Sequence, residues 1–157
     1  MVSPGNPLKP ATGMGSLADR LNSARRLADG KRIIATDIES RLGTRYTCDT
    51  LAALKRRFPN VRFVWLMGAD NLAQLPRWRH WLKIIRAMPM LILPRPGSTR
   101  RALAGKTAKR HHQYRLPAQA GICLPAHKAP AWILLPVQEH PASATELRRQ
   151  LSEGTQL

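Results

Sequence analysis

The stretch VRFVWLMGADN, residues 61–71, decides the fold, because it combines a buried strand with a polar turn. Apart from Arg62, residues 61–67 are apolar and β-favouring, and they are too few for an independent helix, which predicts a strand buried on both faces. Gly68 ends the run, and Asp70 and Asn71 follow at once. A buried strand that ends in Gly-x-Asp is typical of the carboxyl edge of a parallel α/β sheet, where small-molecule ligands bind.

An aromatic helix is predicted directly after this turn. Beyond Pro76, apolar side chains recur at helical spacing, at Trp78, Trp81, Leu82 and Ile85. One face of the predicted helix therefore carries two indoles. Strand, polar turn and aromatic helix together indicate a nucleotide site. We interpret Trp81 as a core residue, whereas Trp78, in the predicted first turn, is either a core residue or a platform for a planar ring.

Helices and strands alternate through the rest of the chain. Ser16 and Asp19 form a predicted capping box for a helix that Gly30 ends. Thr47 is a predicted N-cap for a helix with Leu51, Leu54 and Phe58 on its buried face. Further strands are predicted at residues 32–37, 90–93 and 131–137, and a last helix begins at Ser143. This alternation predicts an α/β fold.

Four motifs of the chain, which follow one another in the family's order, resemble those of the nicotinate-nucleotide adenylyltransferase family. The resemblance covers residues 1 to about 154 and is loosest over 98–130. The motifs are Tyr46-Thr47-x-x-Thr50-Leu51, Gly68-Ala-Asp70-Asn71 with Pro76-Arg-Trp78, Pro94-Arg95-Pro96-Gly97, and Ser143-x-Thr145-x-Leu147-Arg148. The resemblance implies a Rossmann-like, doubly wound parallel sheet of the nucleotidyltransferase type.

One family motif is absent. The family begins with a strand leading into Gly-x-Phe-x-Pro-x-His-x-Gly-His, whereas none of the five histidines of this chain has that spacing. We therefore expect residues 1–157 to form a single, N-terminally truncated domain that lacks the first strand-helix-strand unit, a unit of roughly 30 or more residues. Residues 98–130 are predicted to be a variable basic insertion, either disordered or loosely helical.

The resemblance implies adenylyl transfer from ATP to nicotinate mononucleotide, which yields nicotinate adenine dinucleotide and pyrophosphate in NAD biosynthesis. It implies that Thr47, Asp70, Trp78 and Arg95 bind the nicotinate nucleotide, with Trp78 against the nicotinate ring. It also implies that Ser143, Thr145 and Arg148 bind ATP, which arrives with Mg²⁺. Such chemistry needs alignment and charge neutralisation rather than a side-chain nucleophile. No catalytic residue and no metal-ligating cluster is identified.

Simpler interpretations remain for several of these residues. Thr47 is also a plain N-cap, and Asp70 a cap for the residues that follow it. Asp37 and Glu39 are a possible catalytic carboxylate pair, but exposed turn charges at a strand end are commoner, and we favour the turn.

The charge balance leaves other functions open. The chain has 26 Lys and Arg residues against 9 Asp and Glu residues, a formal net charge of +17, which favours anionic partners. The alternatives are another nucleotidyltransferase of the same fold, or a basic protein that binds RNA through residues 100–115. Tyr114 is the one aromatic residue in 98–130, whereas nucleic-acid platforms need several, so nucleic acid is not an expected partner.

Cysteine content and apolar runs bear on the compartment. Cys48 and Cys123 are far apart in sequence, which disfavours a disulfide framework or a structural zinc site. The apolar runs are far below about 18 residues, so we expect no membrane partner and a cytoplasmic setting.

Overall fold

A computed structural model of the chain describes residues 1–5 and 14–139. The chain divides into two compact units, residues 1–61 and residues 62–157, and each is described by itself. The predicted helix from Ser143 lies outside the described residues. Within them, no helix combines the length and apolar character needed to cross a membrane.

Among the described residues, the first helix of the first unit is α1, Leu17–Leu27. Ser16 is its N-cap, as predicted: the Ser16 hydroxyl accepts a hydrogen bond from the Asp19 N–H at 3.1 Å and donates to the Asp19 carboxylate at 2.6 Å. Arg25 and Arg26 in the last turn complement the helix dipole. The predicted N-cap is therefore confirmed, whereas the Asp19 carboxylate bonds to the Ser16 hydroxyl and not to the Ser16 backbone N–H that a full capping box would use.

The predicted strand at residues 32–37 is wrong, because this segment is irregular. One Asp29 carboxylate oxygen accepts hydrogen bonds from the backbone N–H groups of Lys31, Arg32 and Ile33, at 2.8–2.9 Å. These bonds, the one from Ile33 above all, lower the pKa of Asp29. The turn at Asp29 thus engages three backbone N–H groups that a strand would use to pair within a sheet. Ile33 and Ile34 remain 64% and 67% exposed.

Two further helices follow α1 in the described part of the first unit: α2, Ile38–Arg41, and α3, Thr47–Arg57. Tyr46 occupies the N-cap position of α3 and Thr47 is its first helical residue, so the predicted cap is wrong by one residue. The inward face of α3 carries buried Leu51, as predicted. Phe58, predicted to be buried, is the C-cap and is exposed, because Pro59 stops the helix there.

The second unit contains a three-stranded parallel sheet in the order β1-β2-β3. The strands are β1, Trp65–Gly68, β2, Met90–Leu93, and β3, Trp132–Leu134. The predicted α/β architecture with a parallel sheet is confirmed. In β2 the side chains of Met90 and Ile92 are buried, whereas Leu66 of β1 is 57% exposed. The expectation that the first of these strands is buried on both faces is therefore wrong.

Short helices connect the strands. They are α4, Ala69–Gln74, the 3-10 helix Leu75–Arg77, and α5, Trp81–Ala87. The aromatic helix thus begins at Trp81, and Trp78, predicted to lie in its first turn, stands three residues before it. The Trp78 N–H donates to the Leu75 carbonyl at 2.9 Å, and His80 has a left-handed backbone (φ 51°), which together separate Trp78 from α5.

Residues 98–130 fold as short helices, so the disordered alternative is wrong. The two α-helices are α6, Thr99–Leu103, and α7, Lys106–Arg110, and three 3-10 turns follow at His112–Tyr114, Ala118–Gly121 and Leu124–Ala126. Leu124 is buried in one apolar cluster with Ala131 and Ile133. The segment contributes to the core, which explains its order despite its weak periodicity.

Replacing Ile133 by alanine tests this cluster. Ile133 is fully buried, so we expect the variant to lose about 2–5 kcal/mol of unfolding free energy through lost burial and a residual cavity. Urea unfolding followed by circular dichroism measures the loss. Leu66→Ala, at an exposed site of the same sheet, should cost less than about 1 kcal/mol; equal losses in the two variants would contradict the cluster.

A buried histidine provides a second test of the packing. His111 packs edge-on against Trp81, with ring centroids 6.0 Å apart, and neither ring nitrogen has a hydrogen-bond partner among the described residues. Burial, with smaller contributions from the Arg110 and Arg86 guanidinium groups, lowers the pKa of His111 below its ordinary 6.5. The native state therefore holds this imidazole neutral where the unfolded chain protonates it.

The free energy of unfolding should consequently fall as the pH falls through the unfolded pKa of 6.5. We expect His111→Phe to lose less stability than the unmodified chain between about pH 7.5 and about pH 5.5, because Phe does not titrate. Urea unfolding at both pH values measures the difference. Exposed His127 supplies the control, and His127→Gln should keep the pH dependence of the unmodified chain. If His111→Phe lost as much unfolding free energy between the two pH values as the unmodified chain, His111 would not be the group responsible.

Candidate functional site

The parallel pairing of β1 and β2 brings two of the predicted site residues to one edge of the sheet. Gly68 pairs with Leu93 in the register of the two strands. The residues that follow each strand therefore leave the sheet on the same side, Asp70 after β1 and Arg95 after β2. This is the carboxyl edge, where ligands of open α/β sheets bind.

The absence of a side chain at Gly68 allows these two residues to come close together. A Cβ atom on Gly68 would collide with Oδ1 of Asp70 and would lie 3.1 Å from Nε and 3.2 Å from Cγ of Arg95. Both side chains thus lie over the same glycine. No salt bridge joins Asp70 to Arg95 within the described part of the chain, and Arg95 is exposed, so its guanidinium is accessible to an anion.

The backbone around Arg95 is held by local hydrogen bonds. The Arg95 N–H donates to the Thr99 hydroxyl at 2.9 Å, and the N–H groups of Ser98 and Thr99 donate to the Arg95 carbonyl at 3.0 and 3.2 Å. Gly97 adopts a left-handed conformation (φ 68°) that most side chains disfavour. A turn fixed in this way limits the positions that the guanidinium can sample.

Trp78 lies in the same unit, in an extended conformation after the 3-10 helix. It is half-buried, and its Nε1 atom is buried without a hydrogen-bond partner among the described residues. Arg77 and Arg79 on either side are exposed. The indole is thus partly covered by protein, with cationic neighbours in sequence.

Thr47 belongs to the first unit, as the first residue of α3. Its neighbourhood contains a carboxylate whose burial the sequence did not predict. Glu39, predicted to be an exposed turn charge, is only 3% exposed and accepts hydrogen bonds from the Ser3 hydroxyl at 2.6 Å and the Thr50 hydroxyl at 3.1 Å. Asp37 forms a salt bridge with Arg41 at 2.9 Å instead of pairing with Glu39.

No spacing rule could have revealed Glu39. Its hydroxyl partners stand 36 and 11 positions away in sequence, and only folding brings them to one carboxylate. A short helix with one acidic residue gives no sequence signal for burial.

The remaining predicted residues, Ser143, Thr145 and Arg148, lie outside the described residues. Among those that are described, no group of three or more His, Cys, Asp or Glu side chains could hold a metal ion. An Mg²⁺ ion that arrives bound to a nucleotide needs no such cluster of side chains, because the phosphates and water supply most of its ligands.

No protein-family model matches the chain. Several curated relatives do, and each is named a probable nicotinate-nucleotide adenylyltransferase. The protein of Gluconobacter oxydans is 53% identical over 94% of this chain and 76% of its own length. Those of Gluconacetobacter diazotrophicus and Parvibaculum lavamentivorans are 50% and 49% identical, over 69% and 75% of their lengths.

The chain belongs to the nicotinate-nucleotide adenylyltransferase family. Identity at this level over nine-tenths of the chain confirms the resemblance that the four motifs indicated. The parallel α/β sheet agrees with the Rossmann-like nucleotidyltransferase fold expected for a nicotinate-nucleotide adenylyltransferase. Adenylyltransferases use ATP and generally need a divalent metal ion.

Proposed function

We propose that this chain transfers an adenylyl group from ATP to nicotinate mononucleotide in NAD biosynthesis. A phosphate oxygen of the mononucleotide attacks the α-phosphorus of ATP, the bond from that phosphorus to the bridging oxygen breaks, and pyrophosphate leaves. The products are nicotinate adenine dinucleotide and pyrophosphate. The observation that carries the proposal is the approach of Asp70 and Arg95 over Gly68, in a chain about half identical to relatives named probable nicotinate-nucleotide adenylyltransferases.

Arg95 is proposed to bind the phosphate of the acceptor. Its guanidinium is exposed at the carboxyl edge, on a turn fixed by Thr99. A planar guanidinium can donate two parallel hydrogen bonds to a phosphate, which a lysine cannot. Asp70, beside it, is proposed to accept hydrogen bonds from the nucleotide, since an ionised carboxylate acts only as an acceptor.

Trp78 and Thr47 are proposed to bind the nicotinate end. A half-buried indole offers a flat apolar surface to a planar ring. Thr47 is the first residue of α3, and the N-terminal end of a helix is suited to an anionic group such as the nicotinate carboxylate. Ser143, Thr145 and Arg148 are proposed to bind the ATP phosphates.

We propose Mg²⁺ as the divalent ion, entering with ATP. Its contribution is to neutralise charge on the phosphates while the two nucleotides are aligned. Side chains of the chain then bind and orient the substrates. The proposal places this conversion in the cytoplasm.

The direct test supplies the purified chain with ATP, Mg²⁺ and nicotinate mononucleotide and detects the dinucleotide and pyrophosphate by chromatography. We expect both products in equal amounts, and neither when the acceptor is omitted. Nicotinamide mononucleotide and other phosphorylated acceptors, tested in parallel, separate this activity from that of another nucleotidyltransferase. Preferential use of a non-pyridine acceptor would overturn the assignment.

Gly68→Ala tests the Asp70–Arg95 arrangement. The added methyl group collides with Oδ1 of Asp70 and crowds Arg95, so we expect at least a roughly 10-fold loss of affinity for nicotinate mononucleotide, the equivalent of one charge-assisted hydrogen bond. Calorimetric titration measures it. A methyl group at Gly121 meets nothing within 4 Å, and Gly121→Ala should bind as the unmodified chain does. Unchanged affinity in Gly68→Ala would remove both residues from the acceptor site.

Trp78→Ala tests the ring platform. Stacking of a planar ring on an aromatic side chain contributes about 1–3 kcal/mol, so we expect affinity for nicotinate mononucleotide to fall about 10- to 100-fold. Trp78→Phe keeps a flat ring and loses only an Nε1 donor that has no partner among the described residues, so most of the affinity should remain. Full affinity in the alanine variant, shown to be folded by circular dichroism, would remove Trp78 from the site.

A further inference from the structure

We infer that Glu39 is a positioning residue, which holds the segment leading into α3 in the conformation that the acceptor site requires. The inference rests on the proposed function, because that segment carries Thr47. Glu39 itself is too buried to touch a substrate directly. Its action is through the hydroxyl of Thr50 and the backbone of Thr44.

The carboxylate is buried and hydrogen-bonded at both oxygens. Oε2 accepts from the Ser3 hydroxyl at 2.6 Å and Oε1 from the Thr50 hydroxyl at 3.1 Å. Burying an ionised carboxylate costs several kcal/mol unless hydrogen bonds compensate for the lost water. Among the described residues both donors are hydroxyl groups and neither is a cation, so the local conformation depends on their placement.

The contacts of Glu39 reach both ends of the turn before α3. At one end, the Glu39 carbonyl accepts from the Thr44 N–H at 3.1 Å and lies 3.3 Å from the Thr44 hydroxyl. At the other end, Thr50 donates from within the first turn of α3. Residues 45–47 thus lie between Thr44 and Thr50, both of which are hydrogen-bonded to Glu39.

The hydroxyl protons give this network a direction. The Thr44 and Thr50 hydroxyl oxygens lie 2.8 Å apart, and each carries one proton. The Thr50 hydroxyl donates to Oε1 of Glu39, so the Thr44 hydroxyl can donate to the Thr50 oxygen. Thr50 Oγ1 also lies 3.2 Å from the Tyr46 carbonyl, but its single proton serves the carboxylate. The chain of bonds runs from Thr44 through Thr50 to Glu39.

A substitution at Thr50 can remove its hydrogen bond to Glu39 while keeping the shape of the side chain. Thr50→Val keeps the branched shape and removes the hydroxyl, which leaves Oε1 of Glu39 without its donor. Thr50→Ser keeps the hydroxyl and removes a methyl group. The matched control is Thr107→Val: Thr107 is buried to the same degree, but its hydroxyl has no partner among the described residues.

Steady-state kinetics with each substrate varied in turn test the inference. We expect Thr50→Val and Glu39→Gln to raise the KM for nicotinate mononucleotide about 10-fold, the loss of one hydrogen bond to a charged group, with kcat and the KM for ATP changed less than about 3-fold. Thr50→Ser and Thr107→Val should keep the KM of the unmodified chain. A role in stability alone would lower the folded fraction, and hence the apparent kcat, without moving KM; that result would overturn the inference.

Amide hydrogen exchange provides a readout that does not depend on activity. If Glu39 holds the turn, the Asp49 and Thr50 amides, which donate to the Tyr46 carbonyl at 2.9 and 3.0 Å, should exchange faster in Thr50→Val than in Thr50→Ser. Should the unmodified chain fail to make any dinucleotide, the proposed function fails and exchange alone decides the inference. Equal exchange in the two variants would then overturn it.

Discussion

The parallel pairing of β1 and β2 is the constraint on which the second unit depends. The register places Gly68 opposite Leu93, so the segments after both strands leave the sheet at one edge. Two residues separated by 25 positions, Asp70 and Arg95, then meet over a glycine that has no side chain to keep them apart. A shift of register by one residue would turn the core side chains of β1 outward and move the two charged groups apart, so the same hydrogen bonds specify both core and site.

Those parts of the fold that depend on local patterns could be predicted from sequence. The N-cap at Ser16 and the strands β1, β2 and β3 were found because caps and short apolar runs act over a few residues. The strand at 32–37 could not be rejected in this way. Its apolar Ile33 and Ile34 favour a strand, but the Asp29 carboxylate binds the backbone N–H groups first, and this competition appears only in three dimensions.

The candidate site shows the same division. Asp70 and Arg95 follow strands, so the sheet topology alone was enough to place them at one edge. Trp78 was assigned to a helix because its spacing to Trp81 is helical, yet the left-handed backbone at His80 interrupts that period. Glu39 was assigned to an exposed turn, since its hydroxyl donors are distant in sequence. A residue whose role comes from contacts with distant polar groups leaves no periodic signal.

The positive charge of the chain has a simple relation to this chemistry. No Asp or Glu occurs between Asp70 and Glu139, whereas Lys and Arg recur throughout that stretch. Both proposed substrates are anionic, and a positive field around their site raises the rate of encounter. Such a field attracts any anion, so it cannot select nicotinate mononucleotide. Selection must come from short-range geometry: a guanidinium held by its turn, a carboxylate beside it, and a turn before α3 that Glu39 holds through the Thr44 backbone and the Thr50 hydroxyl.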